Sequence, residues 1–184
     1  MTCWIALLRG INVGRTNRLP MADLRSTIEA LGCRDVATYI QSGNVVFEAS
    51  DQLDEFDEPT LASLIGRSVV ERHGLDVPIV LRTAAEIARI AGAHPDATSG
   101  IDPKLLHVMF LDHPPLNDVH AAIDPALYEP DGWTVDGRQI YVRYPNGSAR
   151  SKLTIDVFEK AFDVTATARN LNTVRKLAEI ADGR

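Results

Sequence analysis

Val36-Ala37-Thr38-Tyr39-Ile40-Gln41-Ser42-Gly43-Asn44-Val45-Val46-Phe47-Glu48-Ala49 is the stretch on which the fold turns. Val36 to Gln41 has the β-branched and aromatic content of a strand, and Val45 to Ala49 has it again. Ser42-Gly43-Asn44 between them is turn chemistry, so the two strands read as a hairpin. On the N-terminal side, Met21, Leu24, Ile28 and Leu31 recur at steps of three and four. That spacing predicts a helix opening at Pro20 and stopping at Gly32. Cys3 to Leu8 before it is a compact apolar strand. On the C-terminal side a helix is predicted from Thr60 to His73, closed by Gly74, followed by a strand from Val77 to Leu81. The order β-α-β-β-α-β is that of a ferredoxin-like sandwich built from split β-α-β units.

The rest of the chain echoes this order less cleanly. Thr83 and Glu86 have capping-box spacing, and a short helix continues through Ile87, Ile90 and Ala91. Leu105 to Leu111 reads as a strand, Asn117 to Ile123 as a helix, and Asp136-Gly137 as the turn joining strands Trp133–Val135 and Gln139–Tyr144. Helices are predicted over Thr154–Phe162 and Asn172–Ala181. A closing strand is expected, if anywhere, near Asp163–Thr165. The fold class is therefore α+β, with two ferredoxin-like subdomains at 1–82 and 83–184, the second carrying an extra C-terminal helix. Cys3 to Leu8 and Leu105 to Leu111 are apolar on both faces, whereas a sheet with one wet face alternates. The second face of each sheet is therefore expected to be covered, by the other half or by a homodimer partner.

Composition narrows the functional classes. The chain has 184 residues, 45% of them hydrophobic and 24% charged, an ordinary globular mixture. Its apolar runs fall well short of the ~18 residues needed to cross a bilayer, and no basic leader opens the sequence, so the expectation is a cytoplasmic protein without a membrane partner. Cys3 and Cys33 then read as reduced fillers rather than a disulfide. The net charge of −6 disfavours nucleic acid as a general partner, because phosphate neutralisation needs positive charge. No His-x-x-x-His or Cys-x-x-Cys spacing points to a metal, and no nucleophile elbow or phosphate-loop motif is present. No cofactor is expected.

Three polar clusters stand out against this background. In the split β-α-β topology, the loop after the first strand and the hairpin between the second and third lie at the same end of the sheet. Arg9, Gly10, Asn12, Gly14, Arg15, Asn17 and Arg18 are thereby brought to Gln41, Ser42, Gly43 and Asn44. Glycines let backbone N–H groups face outward, a helix N-terminus attracts anions, and arginine forks fit phosphate or carboxylate. The competing reading is turn chemistry alone. The second cluster, around Ser151 and Lys152, and the third, around Arg169 and Asn170, each stand before a predicted helix, where capping competes with anion binding. The leading expectation is a site for a small phosphate- or carboxylate-bearing ligand, nucleotides included. The alternatives are single-stranded RNA bound on a sheet face, and a homo-oligomeric interaction module without catalysis.

The same stretches carry a family likeness. Leu7-Leu8-Arg9-Gly10-Ile11-Asn12-Val13-Gly14, Tyr39 through Phe47, Ser151-Lys152-Leu153, and Arg169 through Val174 resemble the bacterial domain of unknown function family numbered 1697. The resemblance implies a pair of ferredoxin-like subdomains and no particular activity. The chain departs from the family pattern at Arg15, where a glycine is expected, and at Leu171, where tryptophan is common.

Overall fold

The computed structural model describes residues 1–14, 16–117 and 122–183. Arg15 of the first polar cluster and most of the helix expected over 117–123 lie outside the described residues. The strands are β1 (Cys3–Leu8), β2 (Arg34–Tyr39), β3 (Asn44–Glu48), β4 (Ile79–Thr83), β5 (Leu106–Leu111), β6 (Gly132–Asp136), β7 (Gln139–Arg143) and β8 (Ala166–Asn170). The helices are α1 (Met21–Glu29), α2 (Glu58–His73), α3 (Ala84–Gly92), α4 (Ile155–Phe162) and α5 (Leu171–Asp182). Two four-stranded antiparallel sheets result, ordered β2-β3-β1-β4 and β6-β7-β5-β8. This is the α+β arrangement expected from the hairpin and its flanking helices. One compact unit comprises Met1–Ala88 with the chain from Leu177 onward, and the other Arg89–Lys176.

In the first unit the buried stripe of α1 is Met21, Leu24, Thr27 and Ile28, and that of α2 is Leu61, Ile65, Ser68 and Val69. Both helices pack on Ala6, Leu8, Val45, Phe47 and Leu81 of the sheet. Removing one leucine side chain from water in such a layer stabilises the fold by about 1.5–3 kcal/mol. Asp57 starts α2 by accepting a hydrogen bond from the Thr60 N–H at 2.9 Å, and Gly74 ends it in the left-handed conformation. On the opposite face of the sheet Ile5, Leu7, Val46, Val80 and Arg82 are buried as well, as the absence of alternation implied.

In the second unit Met109, Leu111, Ile140 and Val142 pack with Phe158 and Phe162 of α4. The closing strand is β8, which begins beyond the Asp163–Thr165 segment where the sequence placed it. It pairs with β5 from Leu111↔Ala166 to His107↔Asn170. Each half thus ends in the same way. Arg82 and Arg169 are the penultimate residues of β4 and β8, both buried, and a helix follows each strand directly. Thr83 and Glu86 form the anticipated capping box at α3, with the Thr83 N–H donating to Glu86 at 2.8 Å. At α5, Asn170 accepts from the Thr173 N–H at 2.9 Å. Cys3 and Cys33 form no disulfide. Among the described residues no helix is long and apolar enough to cross a membrane.

Candidate functional site

The loop after β1 and the β2–β3 hairpin meet. Ladder bonding carries them to the same sheet end: β1 pairs with β3 up to Leu7↔Asn44, and the Leu8 N–H donates to Gly43 O at 2.9 Å. Asn12 then joins the two segments directly. Its amide nitrogen donates to Gln41 O at 2.9 Å and to Leu19 O at 2.8 Å, while its oxygen accepts from the Leu19 N–H at 2.9 Å. The backbone of Asn12 donates to Asn17 O at 3.0 Å, and the Asn17 side chain donates to Gly10 O at 3.4 Å. Gly10, Asn12, Gly14 and Asn17 all have positive φ. Asparagine and glycine are the residues that tolerate this conformation, so the composition of the loop follows from its backbone.

The hairpin is tied down in a similar way. Asn44 is fully buried, and its amide donates to Tyr39 O at 3.0 Å and to Ser42 Oγ at 2.9 Å. Gly43 has φ of +73°, and a Cβ there would fall 2.7 Å from Ile11 Cδ1 and 2.9 Å from Leu8 Cβ. Only glycine allows the hairpin to approach the loop this closely. Ile40, at the start of the turn, holds φ of +48° although it is 49% exposed. A β-branched residue pays a steric penalty in that region.

The side chains at this corner fall into two groups. Asn12, Asn17 and Asn44 hold the backbone, the role that turn chemistry assigns them. Arg18 and Gln41 are exposed, and Arg9 and Ser42 are half-buried. The backbone of Arg9 is fixed by its N–H, which donates to Pro78 O at 2.9 Å. The first turn of α1 follows the loop without a side-chain cap, unlike those of α2, α3 and α5, and Asp23 is its acidic residue.

The second and third clusters belong to the other unit. Ser151 Oγ donates to Asp131 Oδ2 at 2.5 Å and accepts from the Leu153 N–H at 2.8 Å. The cluster is therefore a local turn tied to a carboxylate, and α4 begins only at Ile155. Lys152 is exposed beside a groove of about 220 Å3 that Glu129, Asp131 and Arg150 also border. Asp131 was not among the residues anticipated from sequence, since nothing local marks its pairing with a serine twenty residues on. Thr167, Arg169 and Asn170 form strand rather than the helix-opening loop expected of them. Arg169 is buried, with Nη1 donating to Thr167 Oγ1 and Ala168 O, each at 2.8 Å. Loss of water around the guanidinium lowers its pKa to about 10. Asn170 is a helix cap. The topology nevertheless gathers these segments: Gly132 and Leu106 lie opposite Arg143, and Asn170 opposite His107, at one end of the sheet. Among the described residues no group of histidine, cysteine and carboxylate side chains could hold a metal.

No curated protein matches the chain. A solved structure, that of the conserved bacterial protein SP0830 from Streptococcus pneumoniae, has a similar fold. It is 21% identical, with a TM-score of 0.70 over 99% of each chain. The family model of DUF1697, a protein of unknown function, matches residues 1–141, and the chain belongs to that family.

Proposed function

We propose that the corner formed by residues 9–18 and 41–44 binds a small anionic ligand bearing phosphate or carboxylate, nucleotides among the candidates. The observation that carries this reading is the clamp of Asn12 on Gln41 and Leu19. It fixes a loop of alternating left-handed residues, the kind of backbone that turns peptide N–H groups into an anion-receptive concavity. Arg9, Arg18 and Gln41 stand at its rim, and the uncapped first turn of α1 adds the positive end of a helix. The strain retained at exposed Ile40 accords with a site that has been kept for a purpose other than stability. An RNA platform is less well supported, because Val45, Val46 and Phe47 on the central strand β3 are all buried and offer no aromatic surface for stacking. Two cysteines without a disulfide between them accord with a reducing compartment, so the cytoplasm is the location proposed.

Calorimetric titration with ATP, a sugar phosphate and citrate tests the reading. Saturable binding of at least one is expected, weakened tenfold or more in Arg18→Ala and Arg9→Ala and strengthened in Asp23→Asn. Absence of binding by all three ligands, or variants that bind like the parent, would remove the proposal.

A further inference from the structure

Val13 and Ile40 are apolar side chains that the core does not use. Val13 is 65% exposed and Ile40 49%, whereas Ile11 and Leu19 are each 1% exposed and pack with Leu8 and Phe47. The loop after β1 thus sorts its apolar side chains, Ile11 and Leu19 inward and Val13 outward. Ile40 is the stronger case. The other left-handed residues of this corner are Gly10, Asn12, Gly14, Asn17 and Gly43, all of kinds that tolerate the conformation. Ile40 is the exception, a β-branched residue at φ of +48°. Asparagine there would relieve the backbone, and about half of the isoleucine meets water rather than protein. Neither the core nor the turn accounts for it.

The Asn12 clamp gathers these two residues around a cation. Asn12 bonds Asn17, Leu19 and Gln41. Val13, Arg18 and Ile40 are each one residue along the chain from a member of that set, a step of about 3.8 Å between Cα atoms. All three are exposed. We infer that the anion bound at this corner carries an apolar group, which covers Val13 and Ile40 while its phosphate or carboxylate meets Arg18. The inference rests on the anion-binding reading above and narrows the ligand to a soluble amphiphile. A purely polar anion leaves both apolar side chains wet, and an uncharged apolar ligand leaves Arg18 unanswered. Apolar surface covered by the ligand adds affinity roughly in proportion to its area. A bilayer suits the corner less well. The chain carries a net charge of −6, which anionic lipid repels. Residues 9–18 and 40–44 also hold no tryptophan or tyrosine, the side chains that anchor proteins at membrane interfaces.

Hexyl phosphate and glycerol phosphate form a matched pair of probes, monoesters of equal charge and different polarity. In calorimetric titration of the parent protein, hexyl phosphate is expected to bind at least tenfold more tightly. Arg18→Ala should weaken both esters. Val13→Ser and Ile40→Asn should each reduce the preference for hexyl phosphate about threefold or more, and the double variant should abolish it. Should Ile40→Asn fail to fold, Val13→Ser carries the test alone. Equal binding of the two esters by the parent would overturn the inference and leave the anion site standing, whereas binding of neither would remove both. A preference for hexyl phosphate that survives the substitutions would also overturn it, by placing the apolar group elsewhere. Sedimentation with phosphatidylglycerol vesicles that Val13→Ser abolishes would give the pair to a membrane instead. A dimer that the same variant dissolves would give it to a second copy.

Discussion

Asn12 donates its side-chain amide to the main-chain oxygen of Gln41 at 2.9 Å, across 29 positions of sequence. With two more bonds to Leu19, the same side chain anchors both the loop after β1 and the hairpin that follows α1. A net contribution of about 1 kcal/mol per hydrogen bond puts the three together at about 3 kcal/mol.

Asn12→Gly keeps the positive φ of this position and removes only the clamp. It is expected to lower unfolding stability by about 1–3 kcal/mol, seen as a lower urea midpoint at constant slope. Asn12→Ala adds the steric penalty of an alanine at φ of +56° and should be the worse of the two. A change below about 0.5 kcal/mol in both would mean that water replaces the clamp without loss.

Gly43 and Gly14 separate steric from conformational demand. Both have positive φ, but a Cβ on Gly43 meets Ile11 at 2.7 Å, whereas one on Gly14 meets nothing within 4 Å. Gly14→Ala should cost about 1–2 kcal/mol, the left-handed penalty alone. Gly43→Ala adds overpacking of about 1–3 kcal/mol to the same penalty. Equal melting temperatures for the two variants would contradict the close approach of loop and hairpin.

Ile40 is strained and half exposed, so little packing is lost if it is replaced. Ile40→Asn puts a residue tolerant of positive φ in its place and is expected to raise stability by about 1 kcal/mol. If the strain serves ligand binding, the gain in thermal stability should come with weaker binding of whichever anion the parent takes up. A destabilised variant would show that the isoleucine makes contacts that outweigh its backbone.

His94 and His107 set the acid limb of the stability curve. His94 accepts from the Asp96 N–H through Nδ1 at 3.2 Å and reaches Val142 O through Nε2 at 3.4 Å, so the neutral ring with its proton on Nε2 fits both neighbours. His107 lies edge-on to Tyr144 with ring centroids 5.2 Å apart. Burial holds both imidazoles below the ordinary histidine range by stripping water from the charged form. The unfolded chain takes up protons below about pH 6.5, and the folded chain does so only at lower pH. Stability is then complete above the unfolded value and declines as pH falls through it. The melting temperature should drop between about pH 7.5 and pH 5, and His107→Phe should flatten that drop. Asp54, Asp57 and Asp136, held low chiefly by hydrogen bonds from Thr2, Thr60 and Gln139, add loss in the same direction only at more acidic pH. A His107→Phe variant with an undiminished slope over this range would assign the decline to other groups.

The hairpin strands and the stripes of α1 and α2 were readable because their signals are local: alternation along a strand, three-and-four spacing along a helix, and turn residues where the direction reverses. The topology that follows from them brings residues 9–18 to residues 41–44 from strand order alone. β8 escaped the same reading. Thr167, Arg169 and Asn170 look like a polar loop opening a helix, and only burial of Arg169 against Thr167, beside the β5 strand, makes an edge strand of them.

What the chain of residues determined by itself was therefore the order of elements, the two-sheet class and the meeting of two polar segments, each a consequence of short-range pattern and covalent connectivity. Tertiary structure alone decided which polar groups face inward. Asn12 and Asn44 satisfy main-chain groups that exist only once the loop has closed, and Ser151 finds Asp131 only after β6 and β7 have paired. A hydrogen bond needs a partner at about 3 Å in the right direction, and residues distant in sequence acquire such partners only through the packing of the whole unit.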